Sequence, residues 1–361
     1  MKVLLCSPLG GRIGGIAIWT KNIMKYYDII NPTFNLQVLD MARSEKIDTN
    51  MSLMKRIYIG IRDYTSLIKR IKKTVVLDNI TTIHLASSGS YSLVKDIIIF
   101  QWARKKQVRR IVHFHFGRIP QIIAEKKMEY FLLKKLLKLC NTVIVLDSKS
   151  YDALKQIGYK DVITIPNPLS LDIDILIKSN SEIPRISNKI LYAGHVIPSK
   201  GIIELIKACE GLKDYKLFIV GSITKSFRTK LLEMTKNMSE ITILEEKMHE
   251  EMIKEMLSSS IFVLPSYTEG FPNVILESMA TGCTIVSTDV GAIPEMLDIN
   301  HKKCGICIPA KNIDKLRGAL QFALTNSLET EELRANAQFR VRDTYSIEKV
   351  WGDLCHIWQT K

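Results

Sequence analysis

KILYAGHVIPSKG, residues 189–201, echoes KVLLCSPLGG, residues 2–11. Each begins on a basic residue, runs through an apolar strand, turns on small residues and leads into a helix. A Rossmann-like unit therefore starts twice in one chain. Outward from these two starts, apolar runs alternate with helix-period stretches, the pattern of βαβ units and a parallel sheet. The strands read as KVLLCSP, TTIHLAS, RIVHFHF, NTVIVLD and DVITIPN, then KILYAGH, YKLFIVG, IFVLPSY, CTIVSTD and CGICIP. They are rich in Val, Ile and Leu and mostly end in Gly, Pro, Ser, Asn or Asp, as strands buried on both faces do.

The expected fold class is α/β, with two Rossmann-like doubly wound domains facing across a cleft at the C-terminal ends of their strands, where such sheets bind ligands. The boundaries follow from the pattern: a first domain over 1–170, a linker over 171–188, a second domain over 189–344 and a helix over 345–361. The linker is placed where the chain is polar and poor in helix signals. The last segment carries Val350, Trp351, Leu354 and Trp358 at helical spacing, a stripe that suits core packing and a helix returning to the first domain.

Composition narrows the function classes. The chain has 361 residues, 46% hydrophobic and 24% charged, enough for two cores and unlike a disordered or low-complexity protein. No apolar run approaches the ~18 residues of a spanning helix, and MKVLLCSPLG reads as a first strand rather than a signal peptide. The expected location is cytoplasmic. Seven cysteines are odd in number and scattered, which suits a reducing compartment. Cys304 and Cys307 have C-x-x-C spacing, but no second such pair or suitably spaced histidines complete a zinc site, and CGICIP reads better as a short strand.

The net charge is +14, and the whole positive excess lies within residues 1–180. Three segments there, 54–73, 103–110 and 126–140, mix Lys and Arg with Leu, Ile and aromatics. They fit an anionic membrane, which would make the protein peripheral on the inner face of the plasma membrane; they equally fit ordinary helices with solvated lysines. No motif supports nucleic-acid binding.

SYTEGFPNVILESMATG, residues 266–282, carries the chemistry. A strand ends, TEGFPN turns, and a helix begins near Asn273, a plausible N-cap or a residue close to it. The turn aims backbone N–H groups and a positive helix end at one point, an anion site. Glu269 and Glu277 flank it. As phosphate contacts they would repel; as acceptors for hydroxyls on either side of a phosphate they make sense, and a nucleotide-diphosphate-sugar has that layout. A glycosidase pair would need the acids on opposite faces of one bond, a metal site would need more converging ligands, and two solvated glutamates are the plain alternative. Lys200, in SKG before a helix, is placed to reach a diphosphate. GGRIGG, residues 10–15, permits close backbone approach but is not a G-x-G-x-x-G fingerprint, and no acidic residue stands out after a second strand to hold a dinucleotide ribose. His113 and His115 lie on one face of an alternating strand; His113 reads as core and His115 as a sugar contact.

These motifs, in this order, resemble the family 4 retaining glycosyltransferases of GT-B fold, the glycosyl transferases group 1. The run FVLPSYTEGFPNVILESMATGCTIVSTDVGAIPEML is similar to their signature, with Glu269 and Glu277 as its Glu-x7-Glu. The resemblance implies that Glu269 holds hydroxyls of the transferred sugar and Glu277 the ribose. The backbone of Gly270, Phe271, Asn273 and Val274 would meet the phosphates, and Lys200 would neutralise the diphosphate. Gly14 and Gly15 match the glycine loop, and His115 a histidine near the sugar's reactive end. It further implies retention of configuration, no metal or other cofactor, and a glycan or lipid-linked acceptor in cell-surface polysaccharide synthesis. Where many members have Gly-Arg five residues before the lysine, this chain has Gly194-His195, which lacks the arginine's fixed charge and bidentate fork. Two readings compete with the hexosyl- or N-acetylhexosaminyltransferase: a nucleotide-sugar epimerase on the same frame, and a non-catalytic nucleotide- or glycan-binding protein.

Overall fold

The two sheet-starting segments each open a six-stranded parallel sheet in a computed structural model that describes residues 1–10, 14–42, 52–299 and 302–360. One unit comprises Met1–Pro168 with Ile347–Lys361, the other Leu169–Ser346.

In the first unit the order is β1 (Lys2–Ser7), α1 (Gly15–Ile30), β2 (Asn35–Asp40), α2 (Leu53–Leu77), β3 (Thr82–Ser87), α3 (Ser92–Lys105) and β4 (Arg109–Phe114). Then come α4 (Ile119–Glu125), α5 (Met128–Leu137), β5 (Thr142–Val145), α6 (Ser148–Gln156) and β6 (Val162–Thr164). The strands lie in the order β2-β1-β3-β4-β5-β6. β3 and β5 are buried along their whole length, as central strands covered on both faces are; in β3 the buried positions include the polar Thr82, His84 and Ser87. Leu4, Ile83, Leu85, Val112, Phe114, Val143 and Val145 build the core with Leu93, Phe100, Leu133 and Leu136 from the helices.

In the second unit, α7 (Ile173–Ser179) precedes β7 (Ile186–Ala193), α8 (Ile202–Cys209), β8 (Lys216–Val220), α9 (Lys225–Thr235), β9 (Ile241–Leu244), α10 (His249–Ser258) and β10 (Ser259–Leu264). There follow α11 (Asn273–Ala280), β11 (Thr284–Thr288), α12 (Ile293–Leu297), a small hairpin β12–β13 (Asp298–Ile299, Lys302–Lys303), β14 (Ile306–Ile308), α13 (Ile313–Thr325) and α14 (Ser327–Thr344). The sheet runs β14-β11-β10-β7-β8-β9. Its order reverses at β7 and β10, the topological switch point of a Rossmann sheet.

The last helix, α15 (Ile347–Gln359), belongs to the first unit. Val350, Trp351, Leu354 and Trp358 are all buried. Trp351 meets Tyr26 of α1 edge-on at 5.7 Å and stacks on Phe34 at 6.1 Å, and Trp358 Nε1 donates to His84 Nδ1 at 3.0 Å. Arg109 fixes the helix end by donating to the carbonyls of Ile357, Trp358 and Thr360, a cation on the negative pole of a helix.

Three expectations are corrected here. The segment 171–188 is not a plain linker: it contains α7, with Ile173 buried, and the first residues of β7. Its apolar spacing is diluted by Asp172 and by the exposed Asp174 and Lys178. Strands β2 and β9 have no counterpart in the reading of the sequence; both are sheet edges, β2 with mixed burial and β9 half-buried throughout, and neither shows an unbroken apolar run. Finally, an acid does follow the second strand. Asp40 ends β2, and its carboxylate accepts from Leu9 N (2.9 Å), Gly10 N (3.1 Å) and Ala42 N (2.7 Å). Asp40 thus holds the chain's own loop, and its oxygens are engaged where a dinucleotide ribose would need them. β14 forms where CGICIP was read as a strand, with Cys304 buried and Cys307 exposed.

Candidate active site

The switch point of the second sheet gathers the residues singled out in the sequence. Beyond β7 the chain passes Gly194, with φ 150°, whose N–H bonds to Val220 O at 3.0 Å. A Cβ at Gly221 would come within 1.8 Å of Gly194 O, so the two loop starts touch backbone to backbone. His195 is exposed, its Nδ1 2.8 Å from Ser222 Oγ, and Tyr192 OH donates to its carbonyl at 2.8 Å. A single 3-10 turn, Pro198–Lys200, then delivers Lys200 and stops at Gly201 (φ 72°), where a Cβ would lie 2.0 Å from Pro265 O. Glycine there lets the lysine turn press against the end of β10.

From that end of β10 the chain turns through Tyr267, whose N–H bonds to Ser199 O at 3.0 Å, to Glu269. Lys200 Nζ donates to Glu269 Oε1 at 2.6 Å, both side chains half-buried. Gly291 (φ 57°) backs this turn: a Cβ there would lie 2.3 Å from Glu269 O and 2.6 Å from Gly270 O, and the next residue, Ala292, donates its N–H to Gly270 O at 2.9 Å. Gly291 was quoted in the sequence run but not recognised as the floor of the site.

α11 begins at Asn273, with Pro272 rather than Asn273 at the N-cap position and no side-chain cap. Asn273 thus lies beside the N-cap rather than on it: proline's fixed φ places Pro272 just before the first turn, and the asparagine is the first residue of the helix. Phe271 is buried and packs edge-on against Tyr345 at 5.6 Å, while Gly270, Asn273 and Val274 are half-buried. One turn further, Glu277 is buried, and His249 Nε2, from the first residue of α10, lies 3.1 Å from its Oε1. The hydrogen bond to Glu277 raises the His249 pKa above its ordinary value against the opposing effect of burial. His249 was missed because nothing local connects HEEM to a glutamate 28 residues on.

Lys200, Glu269, Gly270–Val274, Glu277 and His195 thus cluster around one switch point. Gly14, Gly15 and His115 belong to the first unit. Gly14 is the N-cap of α1 and Gly15 its first residue; a Cβ at either would meet nothing within 4 Å, so the protein's own packing does not demand glycine there. Gly11, Arg12 and Ile13 of the GGRIGG stretch lie outside the described residues. His115 falls one residue beyond β4 rather than within it. Its ring packs against Trp19 at 4.8 Å and against His113 at 4.0 Å. Burial, opposed by a hydrogen bond with Asn167, pushes its pKa down to about 3. His113 is buried in the core as expected. Among the described residues, no group of three or more His, Cys, Asp or Glu side chains is arranged to hold a metal ion.

Two parallel-sheet α/β units with a charged switch point define the architecture of the GT-B glycosyltransferases. A solved structure of Anabaena HepE in complex with UDP-glucose has the same fold at a TM-score of 0.70, with 17% identity over 99% of both chains. Residues 175–340, nearly all of the second unit, match the model of the family described as glycosyl transferases group 1. An uncharacterized glycosyltransferase of Haemophilus influenzae is 25% identical over 321 residues, 85% of this chain and 84% of its own. The capsular polysaccharide biosynthesis glycosyltransferase CapM of Staphylococcus aureus is 25% identical over 177 residues, 47% of this chain and 45% of its own.

Proposed function

We propose that the protein is a retaining family 4 glycosyltransferase that moves a hexosyl or N-acetylhexosaminyl group from a nucleotide-diphosphate-sugar to a glycan or lipid-linked acceptor in cell-surface polysaccharide synthesis. The observation that carries this reading is the convergence of Lys200, Glu269 and the start of α11 at the switch point, with Glu277 one turn beyond. The likeness to CapM supports the polysaccharide, and HepE's complex with UDP-glucose supports the class of donor.

In the proposed reaction the bond between the anomeric carbon and the phosphate oxygen breaks, and its electron pair stays on the diphosphate. Lys200 and the α11 N-terminus stabilise that charge, an effect worth several kcal/mol in comparable sites. Glu269 orients the sugar through its hydroxyls and Glu277 the ribose. The acceptor hydroxyl attacks the anomeric carbon from the face the diphosphate leaves, passing its proton to the departing phosphate oxygen. This chemistry needs no metal. His115, which burial holds neutral at physiological pH, is proposed as a hydrogen-bond partner for a sugar hydroxyl rather than a proton carrier. The open surroundings of Gly14 and Gly15 suit a ligand approaching the backbone. A thermal-shift screen with UDP-, GDP- and ADP-sugars, without added metal, tests the reading: one donor should stabilise the wild type, and Lys200→Ala should lose the effect. No shift with any donor in folded protein would favour the non-catalytic alternative; donor turnover independent of any acceptor would favour the epimerase.

The membrane partner has its own support. The basic segments 54–73 and 126–140 fall on and around α2 and α5, and 103–110 runs from the end of α3 into β4, where Arg109 and Arg110 are bonded to backbone carbonyls; α3 packs against both α2 and α5. Along α3, Tyr91, Val94, Ile98, Gln101 and Lys105 form one exposed stripe; on α5, Met128 and Phe131 are exposed beside Lys134, Lys135 and Lys138. A 760 Å³ groove between α2 and α3 is lined by Lys72, Arg104 and Lys105 with Ile98, Gln101, Trp102 and Leu139, and by no acid. Apolar side chains among unopposed cations suit an anionic lipid surface. Among the described residues no helix is long and apolar enough to cross a membrane.

A further inference from the structure

Glu277 is a carboxylate buried in a helix, and among the described residues it is paired with no lysine or arginine. Among the described residues its side-chain partner is His249, whose Nε2 lies 3.1 Å from Oε1. A carboxylate in such a place needs a hydrogen bond to keep both its charge and its rotamer. The histidine reaches it from another element, since α10 packs against α11 and places its first residue over the middle of that helix.

We propose that His249 is a positioning residue for Glu277, holding Oε1 so that the second oxygen is presented to the ribose hydroxyls of the nucleotide, and that the charge on this pair makes donor affinity depend on pH. The inference rests on the reading of Glu277 as the ribose acceptor and deepens it by naming what orients that acid.

The groups facing His249 set the direction of the effect. Glu277 on α11 and Asp172, at the N-terminal end of α7, both favour the imidazolium. The adjoining strands add little. Lys189 of β7 is tied to Glu255, and β10 (Ser259–Leu264) contains no titratable side chain. On α10 itself Glu251 accepts from the Met248 N–H and Glu250 pairs with Lys254; Lys247, just ahead, pairs with Glu255. Below its pKa, His249 makes a charge-assisted bond to Glu277. As pH rises through that raised pKa the imidazole loses its charge: the bond to the carboxylate then survives only in the Nε2–H tautomer and without the ion-pair attraction, so it weakens. Donor affinity should therefore fall with rising pH.

Calorimetric titration with the UDP-, GDP- or ADP-sugar that binds, between pH 5.5 and 8.5, tests this directly. A nucleotide sugar is the right probe because its diphosphate diester has no group titrating in that window. Wild-type affinity should decline as pH rises. His249→Ala should bind about tenfold more weakly at low pH, the worth of one charge-assisted hydrogen bond, with a flat profile. His249→Gln supplies an amide N–H where Nε2–H stood; it should recover most of the affinity and stay flat. A 2′-deoxyribose donor should be penalised by the wild type and His249→Gln but not by His249→Ala. If Glu277→Ala loses the donor while His249→Ala keeps wild-type affinity and profile, the positioning role is wrong and the ribose reading stands. If Glu277→Ala binds as well as wild type, or the folded wild type binds no donor, the reading of the site fails and the inference falls with it. Circular dichroism of each variant separates either result from misfolding.

Discussion

Lys200 and Glu269 stand 69 residues apart in sequence, yet the ammonium donates to Oε1 across 2.6 Å. The pair joins the loop after β7 to the loop after β10, the two strands at which the sheet order reverses. In the proposed donor complex each partner would face a choice: the diphosphate would compete with Glu269 for the lysine, and the sugar hydroxyls with Lys200 for the carboxylate.

Removing either partner should abolish most of the turnover. Lys200→Ala and Glu269→Ala are each expected to lower kcat on the donor by about 10²–10³-fold, the usual loss when one preorganised electrostatic contact is deleted. Steady-state assays with the donor found in the screen check this. Near-wild-type turnover in Glu269→Ala would sink the site assignment.

Gly291→Ala should damage the same site without touching a charged group. The new methyl would meet Glu269 O at 2.3 Å and Gly270 O at 2.6 Å, at a φ of 57°. The strain of a non-glycine residue there is about 1–3 kcal/mol, and relief requires the Glu269 turn to move. Thermal unfolding should show a lower Tm, and donor affinity should drop. A variant with unchanged affinity would mean that the turn is not held from behind.

Acid should weaken the first unit through its histidines. Burial pushes the pKa of His84 and His115 down to about 3 and that of His113 well below the ordinary value. Unfolded histidine titrates near 6.5, so between these limits the unfolded chain binds more protons. The stability contribution is complete above about pH 6.5 and declines as pH falls toward 3, by up to ~1.4 kcal/mol per pH unit for each histidine. Protonating His84 at Nδ1 would also cost the bond from Trp358 that seats α15. Tm measured from pH 7.5 to 4.5 should fall steadily, and His113→Phe should show a shallower decline; equal slopes would mean that water already reaches the rings.

Membrane docking should need both the cations and the apolar side chains. The wild type is expected to sediment with vesicles containing anionic lipid and not with purely zwitterionic ones. Phe131→Asp, and Lys134→Glu with Lys135→Glu, should each reduce that binding several-fold, since each basic residue near such a surface is worth about 1 kcal/mol. Equal sedimentation with neutral vesicles would remove the electrostatic argument.

Much of this architecture was legible in the residues themselves. The apolar runs within β5 and β10 mark strands covered on both faces, the two basic-strand-glycine starts mark two sheets, and the Val350–Trp358 stripe marks a helix with one buried side. Each is a property of a few consecutive side chains against the backbone period, and burial of apolar surface is read at that range. What the sequence did not disclose depends on partners distant in the chain. Edge strands β2 and β9 are strands because a neighbour offers its hydrogen bonds, and α7 is a helix inside a polar stretch because Ile173 finds a core. Asp40 grips the Leu9–Gly10 backbone, Gly291 backs the Glu269 turn, and His249 reaches Glu277. Only the tertiary structure decides these, because a hydrogen bond of 3 Å or a contact that excludes a methyl group is fixed by how whole strands and helices pack, and no local pattern of residues specifies it.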